Sequence, residues 1–441
     1  MKINSKLNLK QQLRKAIKAI ATQSTNKSYG SLESTKGLVI EAIGINQPIG
    51  SRFSIKTSTG EVIADLVGFS HNKASLLPVN STKGLRLGAE VEMISEESSL
   101  AVGSQLLGRV INAIGLPLDG CGPIICENRL PLVRQGISPM ERGIIDEPLD
   151  VGVRAINGLL TIGKGQRIGL FAGTGVGKSV LLSMIAKNTT ADIVVIGLIG
   201  ERGREVKEFV EKTLNKETRK KSVIVACPAD EPPLLRLQGA QAATTIAEYF
   251  RDQGLNVLLI MDSLTRFAQA QREVALSLGE PPASKGYPPS VFAMLPALVE
   301  RAGKGSNGGS ITAIYTVLTE GDDSNDPVAD SARGVLDGHI FLSRTIASMG
   351  VYPAIDVSAS ISRVMTEITA QNHQQAAIKF KRIYADYNSN RDLINVGAYQ
   401  MGKDSNIDMA INLYPTIEQY IKQSPIESVN IADSISQLYE I

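Results

Sequence analysis

Tryptophan is absent from this sequence, and aromatic residues make up only 5% of it. That scarcity weakens any reading in which nucleic-acid bases stack on aromatic platforms. Cysteine is nearly as rare, with three in 441 residues, and no second pair or His cluster accompanies Cys121 and Cys126. An odd count without metal-ligand spacing disfavours both a disulfide framework and a cysteine metal site, and it suits a reducing cytoplasm. The three histidines, His71, His339 and His373, are scattered and carry no assignable chemistry. No run approaches the ~18 apolar residues of a membrane span. The N-terminus is basic but lacks the continuous apolar segment of a signal peptide, so neither secretion nor insertion is expected. An excess of one charge is missing too: 46 Lys and Arg face 44 Asp and Glu, a net charge of +2. Nothing in that balance points to nucleic acid or membrane as a partner of the whole chain.

Hydrophobic residues make up 43% of the chain, enough for a sizeable core. A length prior of ~150 residues per domain suggests about three domains. Residues 2–20 form the first unit. Lys2, Lys6, Lys10, Arg14, Lys15 and Lys18 are unopposed by acids, and Leu9, Leu13, Ala16, Ile17 and Ile20 recur at helical spacing. This predicts a basic amphipathic helix that docks a partner or lipid, or folds back on its own domain. A polar linker runs over 23–28. Short strand-like pieces follow at Leu38-Val39-Ile40, Phe53-Ser54-Ile55, Val62-Ile63-Ala64, Ser75-Leu76-Leu77 and Val91-Glu92-Met93, which predicts a small β-barrel or sandwich over 29–98. Over 99–365, apolar strands at 193–196, 223–226, 257–261 and 311–317 alternate with helices at 205–214, 234–251 and 264–278. That alternation predicts an α/β domain with a parallel sheet, interrupted by Gly/Pro-rich loops at 280–289 and 303–310. Residues 366–441 read as a helical C-terminal domain, with Ala376, Ala377, Phe380, Ile383 and Tyr384 at helical intervals.

The decisive segment is Ala172-Gly173-Thr174-Gly175-Val176-Gly177-Lys178-Ser179, between the apolar run Ile168-Gly169-Leu170-Phe171 and the helical stretch that begins at Val180. A strand, a glycine loop and a helix in that order make a phosphate cradle. Successive N–H groups point into one concavity, and the helix N-terminus adds partial positive charge. Lys178 is placed to reach the β- and γ-phosphates and the Ser179 hydroxyl to ligate Mg²⁺. Ala172 stands where the pattern begins with glycine, which a negative φ would permit. An accidental glycine-rich turn would not need Gly-Lys-Ser between strand and helix.

Val257-Leu258-Leu259-Ile260-Met261-Asp262 is an apolar strand ending in a carboxylate, which suits Asp262 to hold Mg²⁺ through water beside Lys178 and Ser179. Ile199-Gly200-Glu201-Arg202 follows another apolar strand. Glu201 could polarise a water, or it could belong to a solvated charge run at a helix start; both readings stay open. Tyr352 and Arg363 mean little in isolation, since a core Tyr and a surface Arg would serve as well.

Together these pieces resemble one family, the rotary-type hexameric ATPases. Pro353-Ala354-Ile355-Asp356-Val357-Ser358-Ala359-Ser360-Ile361-Ser362 is similar to the signature of ATP synthase α and β subunits. Blocks 145–194, 197–209 and 262–301, with 29–44, resemble the branch serving type III protein export. The flagellar system is the first choice there and the injectisome the alternative. The resemblance implies a RecA-like core, ATP and Mg²⁺ as cofactors, and a homohexamer. It assigns Glu201 as catalytic glutamate, Arg202 beside it near the phosphates, Arg363 as a finger lent to a neighbour, and Tyr352 as the aromatic on adenine. Residues 172–180, Val180 included, would then form the nucleotide loop. It further implies a stalk-like coiled coil in the pore facing 319–323, a dimeric regulatory partner on the N-terminal helix, export chaperones and substrates, and a cytoplasmic location at the membrane export gate. A Rho-like nucleic-acid motor and a non-catalytic nucleotide-binding subunit are the readings of other classes. Near-neutral charge and few aromatics disfavour the first. The second typically carries glutamine where this chain has Glu201.

Overall fold

The structure is a computed structural model and describes residues 29–58, 60–318 and 326–441. The amphipathic helix expected over 2–20, its linker and the loop 319–323 lie outside the described residues. The chain divides into two compact units, one through Ser98 and one from Ser99 onward.

In the first unit, six antiparallel strands close into a barrel in the order β1-β2-β5-β4-β3-β6. They are β1 (Tyr29–Lys36), β2 (Val39–Ile43), β3 (Arg52–Lys56), β4 (Glu61–Ser70), β5 (Lys73–Pro78) and β6 (Glu90–Ser95). Closure leaves no sheet edge to pair with another chain. Phe53, Ile55, Leu66, Leu76 and Val91 are buried in its core. The Arg52 guanidinium donates two bonds to Asp65, Nε to Oδ1 at 2.7 Å and Nη2 to Oδ2 at 3.0 Å, fixing β3 on β4. The sequence pattern announces five of these strands. It misses β1, a polar stretch in which Leu32 alone is buried, so no apolar alternation marks it.

The second unit is built on a sheet in the order β17-β16-β10-β15-β13-β11-β12-β8. Its members are β8 (Val110–Ile111), β10 (Arg167–Ala172), β11 (Ile193–Ile199), β12 (Ser222–Cys227), β13 (Asn256–Asp262), β15 (Ser310–Leu318), β16 (Gly338–Leu342) and β17 (Ile355–Ser362), while β7 (Ser99–Val102) and β9 (Asn128–Pro131) pair as a separate two-stranded sheet. From β16 to β8 every pairing is parallel; β17 pairs antiparallel along one edge. All seven residues of β11 are buried, as a parallel strand covered on both faces requires. The helices Lys178–Asn188, Pro233–Arg251 and Leu264–Ser277 fall between strands as the sequence indicates. Two expectations change. The helix expected over 205–214 is an α-helix at Gly203–Glu208 that widens into a π-turn at Phe209–Thr213, bringing Phe209 to the wall of a cleft. The loop expected over 303–310 begins as a short strand, β14 (Gly303–Lys304), paired with β15.

The C-terminal helices Gln371–Asn395, Ser405–Ile421 and Ile431–Tyr439 pack on the same core. Asp404 caps the second by accepting from Asn406 N and Ile407 N, and Asn430 caps the third by accepting from Asp433 N. Phe380 and Tyr420 meet at 5.2 Å between ring centroids. Buried His373 donates from Nε2 to the Gly158 carbonyl at 2.7 Å, and burial lowers its pKa. No described helix is long and apolar enough to cross a membrane.

Candidate active site

β10 delivers the chain directly into the glycine loop. Ala172 is its last residue and its φ is not positive, so the alanine there is unstrained. Gly175 and Gly177 adopt φ of 81° and 91°, a left-handed backbone that residues with a Cβ rarely take. Val176 between them is buried and anchors the loop to the core, while Thr174, Gly175, Ser179 and Val180 face outward. The helix Lys178–Asn188 begins after Gly177, which has no side chain to cap its N-terminal N–H groups. The concavity is thus lined by unclaimed donors and the positive end of a helix.

The loop forms one wall of a cleft of about 870 Å³, which Glu201, Arg202, Asp262, Arg266, Leu318 and Pro425 also line. Lys178 Nζ donates to Asp262 Oδ1 at 2.5 Å and to Glu201 Oε1 at 3.4 Å. Asp262, only 5% exposed, also accepts from Thr316 Oγ1 at 2.6 Å. Burial opposes the Lys178 charge, but the two carboxylates outweigh it and raise its pKa. Burial and the neighbouring Asp262 carboxylate push Glu201 up to about 7, against the lowering effect of Lys178. A carboxyl poised near neutrality at a strand end, beside a phosphate cradle, can exchange a proton with water. Ser179 and Asp262 bring two hard oxygen donors to the same cleft, which suits Mg²⁺. The donor set and the loop therefore fit a metal-bound nucleoside triphosphate.

The remaining residues singled out by sequence fall in two places. Tyr352 is 42% exposed and stands over the loop, where a Cβ built on Gly177 would lie 3.4 Å from its ring. The Arg202 side chain is 84% exposed at the mouth of the cleft. Arg363 is elsewhere. β17 runs antiparallel to β16, so Ile355 lies opposite Leu342 at the loop end of the sheet and Ser362 lies opposite Gly338 at the other end. Arg363 follows Ser362 and donates from Nη2 to the Arg333 carbonyl at 3.3 Å.

Arg266 was missed by sequence reasoning. It packs under Gly200, whose φ of 72° leaves no room for a Cβ, since one would lie 2.7 Å from Arg266 Cβ. Its Nη1 donates to Gln269, while Nε is buried without a hydrogen-bond partner among the described residues. A signal existed: an arginine in the first turn of the helix Leu264–Ser277 opposes the helix dipole, and local rules are broken mostly at functional sites. Pro425 lines the cleft from a distant part of the chain, and buried Thr316 holds Asp262 from behind it; no local pattern marks either.

A glycine loop after an interior strand of a parallel sheet, with Lys178, Asp262 and Glu201 converging on it, defines a P-loop nucleoside triphosphatase. Residues 152–362 match the ATP synthase alpha/beta family, nucleotide-binding domain, and residues 369–440 match the T3SS EscN ATPase C-terminal domain. The chain is 55% identical to the flagellum-specific ATP synthase of Pseudomonas aeruginosa, covering 93% of this chain and 92% of that one. It is 48% identical to the flagellum-specific ATP synthase of Bacillus subtilis, covering 96% and 97%. Among solved structures, the assembled ATPase EscN of the enteropathogenic E. coli type III secretion system superposes with a TM-score of 0.89 at 44% identity, over 93% of this chain and 99% of that one. EscN in complex with its central stalk EscO superposes at 0.87, with 43% identity over 93% and 99%. The chain belongs to the flagellum-specific ATP synthases of the ATP synthase alpha/beta family, and it is an ATPase.

Proposed function

We propose that this protein hydrolyses Mg-ATP as a homohexamer and so drives flagellar type III protein export, delivering substrates and releasing chaperones at the export gate. Lys178 and the 172–180 loop hold the phosphates, Ser179 and Asp262 would hold Mg²⁺, which would supply neutralising charge to the triphosphate, and Tyr352 packs on adenine. Glu201 orients the attacking water and takes up its proton. Arg202 and Arg266 face the transferred phosphoryl group from the cleft wall. Arg363 acts on the adjoining subunit.

The observation that carries this reading is the position of Arg363, at the end of the sheet away from its own glycine loop. A site that takes its arginine from another copy calls for a head-to-tail interface, which closes into a ring. EscN is described as assembled and in complex with a central stalk, which supports the same arrangement here, with a coiled-coil stalk facing 319–323. The basic segment 2–20 would bind a dimeric regulatory partner and bring a cytoplasmic protein to the inner face of the membrane.

The test is the dependence of rate on concentration. ATP turnover per subunit should rise cooperatively as the protein assembles. A high, constant rate in dilute monomer would exclude the shared site. The likeness to EscN keeps injectisome export as the second reading. Loss of motility on deletion supports the flagellar assignment, and retained motility with lost effector secretion supports the other.

A further inference from the structure

Just below the strand that carries the glycine loop, Gln166 is fully buried and every polar atom of its amide is engaged. Its Oε1 accepts from Gly163 N at 2.8 Å. Its Nε2 donates to Ser362 Oγ and to the Asp337 carbonyl, each at 3.0 Å. That same carbonyl accepts the backbone N–H of Arg363 at 3.0 Å. Asp337 is held at its other end by Arg167, the first residue of β10, through Nε to Oδ2 and Nη2 to Oδ1, both at 2.9 Å. Ser362 Oγ in turn donates to the Thr161 carbonyl at 2.8 Å.

Arg363 needs such a mount. β17 is an edge strand, paired on one side only among the described residues and with an irregular register between His339 and Phe341. An arginine just past its end would otherwise be set by few contacts. A catalytic group misplaced by 1 Å can cost ~10²-fold in rate. We propose that Gln166 is a positioning residue for Arg363, fixing the arginine's backbone to β10 through the shared Asp337 carbonyl and through Ser362. This rests on Arg363 acting in a neighbour's site. Gln166 itself touches no nucleotide. It joins the root of the strand bearing one subunit's phosphate loop to the group that subunit lends.

The test uses mixed assemblies of full-length chains. Gln166→Met keeps the side chain's volume and removes its hydrogen bonds. Ser362→Ala removes one partner and serves if the Met variant fails to fold, as judged by its melting curve. Either variant should lower kcat by ~10-fold or more, with ATP binding and assembly retained. In an Arg363→Ala background it should have little further effect. Lys178→Ala subunits have a dead site but an intact arginine, so mixing them with the Gln166→Met chain should restore turnover, as should mixing them with Arg363→Ala. If Arg363→Ala is rescued and the Gln166 and Ser362 variants are not, the positioning role is overturned while the shared site stands. If none is rescued, the shared site fails and the proposal with it. Effects that add fully to Arg363→Ala would also overturn it.

Discussion

Lys178 and Arg363 of one chain lie at opposite ends of the same sheet. Lys178 follows the C-terminal end of β10, level with Leu342 and Ile355, whereas Arg363 follows Ser362, level with Gly338 and Ile168. At ~3.3 Å per residue, the strand from Ile168 to Ala172 alone puts about 13 Å between those levels. Arg363→Ala should therefore leave nucleotide affinity intact while slowing hydrolysis by ~10³-fold or more, the scale of an arginine finger. Equilibrium binding of a fluorescent ATP analogue beside steady-state turnover checks this, and an undiminished rate would remove Arg363 from the mechanism.

Glu201 titrates near neutrality in the free protein because of burial and of Asp262. In the proposed role of base it works ionised, so kcat/KM should climb with pH and reach half its plateau at about 7. Glu201→Gln should abolish turnover and retain ATP binding. Stability runs the other way. Between the ordinary value of 4.5 and about 7 the folded chain keeps a proton that the unfolded chain has lost, so stability declines as pH rises through that window. Denaturant titrations at pH 5 and pH 8 should show a smaller difference in Glu201→Gln than in the parent.

Arg266→Met keeps the aliphatic stem under Gly200 and removes the guanidinium. Removal of one preorganised donor typically costs ~10²-fold in kcat. The expected result is that loss with an unchanged melting temperature; wild-type kcat would reduce Arg266 to a packing residue.

Tyr352 presents its ring beside Gly177 rather than a hydrogen-bonding tip. Stacking on a base is worth ~1–3 kcal/mol, so Tyr352→Ala should weaken ATP binding by ~5-fold or more while Tyr352→Phe is silent. Equal losses in both variants would mean that the hydroxyl, not the ring, matters.

Gly177→Ala should abolish nucleotide binding while sparing the fold. Its φ of 91° is strained for any residue with a Cβ, while the added methyl would meet the Tyr352 ring at 3.4 Å, an ordinary contact that leaves the core untouched. Binding titrations and a melting curve on the same variant separate these effects.

Much of this was legible in the chain itself. The 172–179 loop, the apolar strand ending at Asp262 and the buried run before Glu201 are local patterns, and local backbone chemistry fixes what they form. Parallel strands buried on both faces are continuous apolar runs, so β11, β12, β13 and β15 announce themselves. β1 does not, because it offers the core one side chain, and the turn at 209–213 widens only against its neighbours. The tertiary structure alone decided how distant residues meet. It set Lys178 between Asp262 and Glu201, raised the Glu201 pKa by burial, brought Arg266 and Pro425 to the cleft and put Thr316 on Asp262. It also turned Arg363 away from that cleft, because the antiparallel pairing of β17 with β16 is a long-range choice that no sequence spacing records.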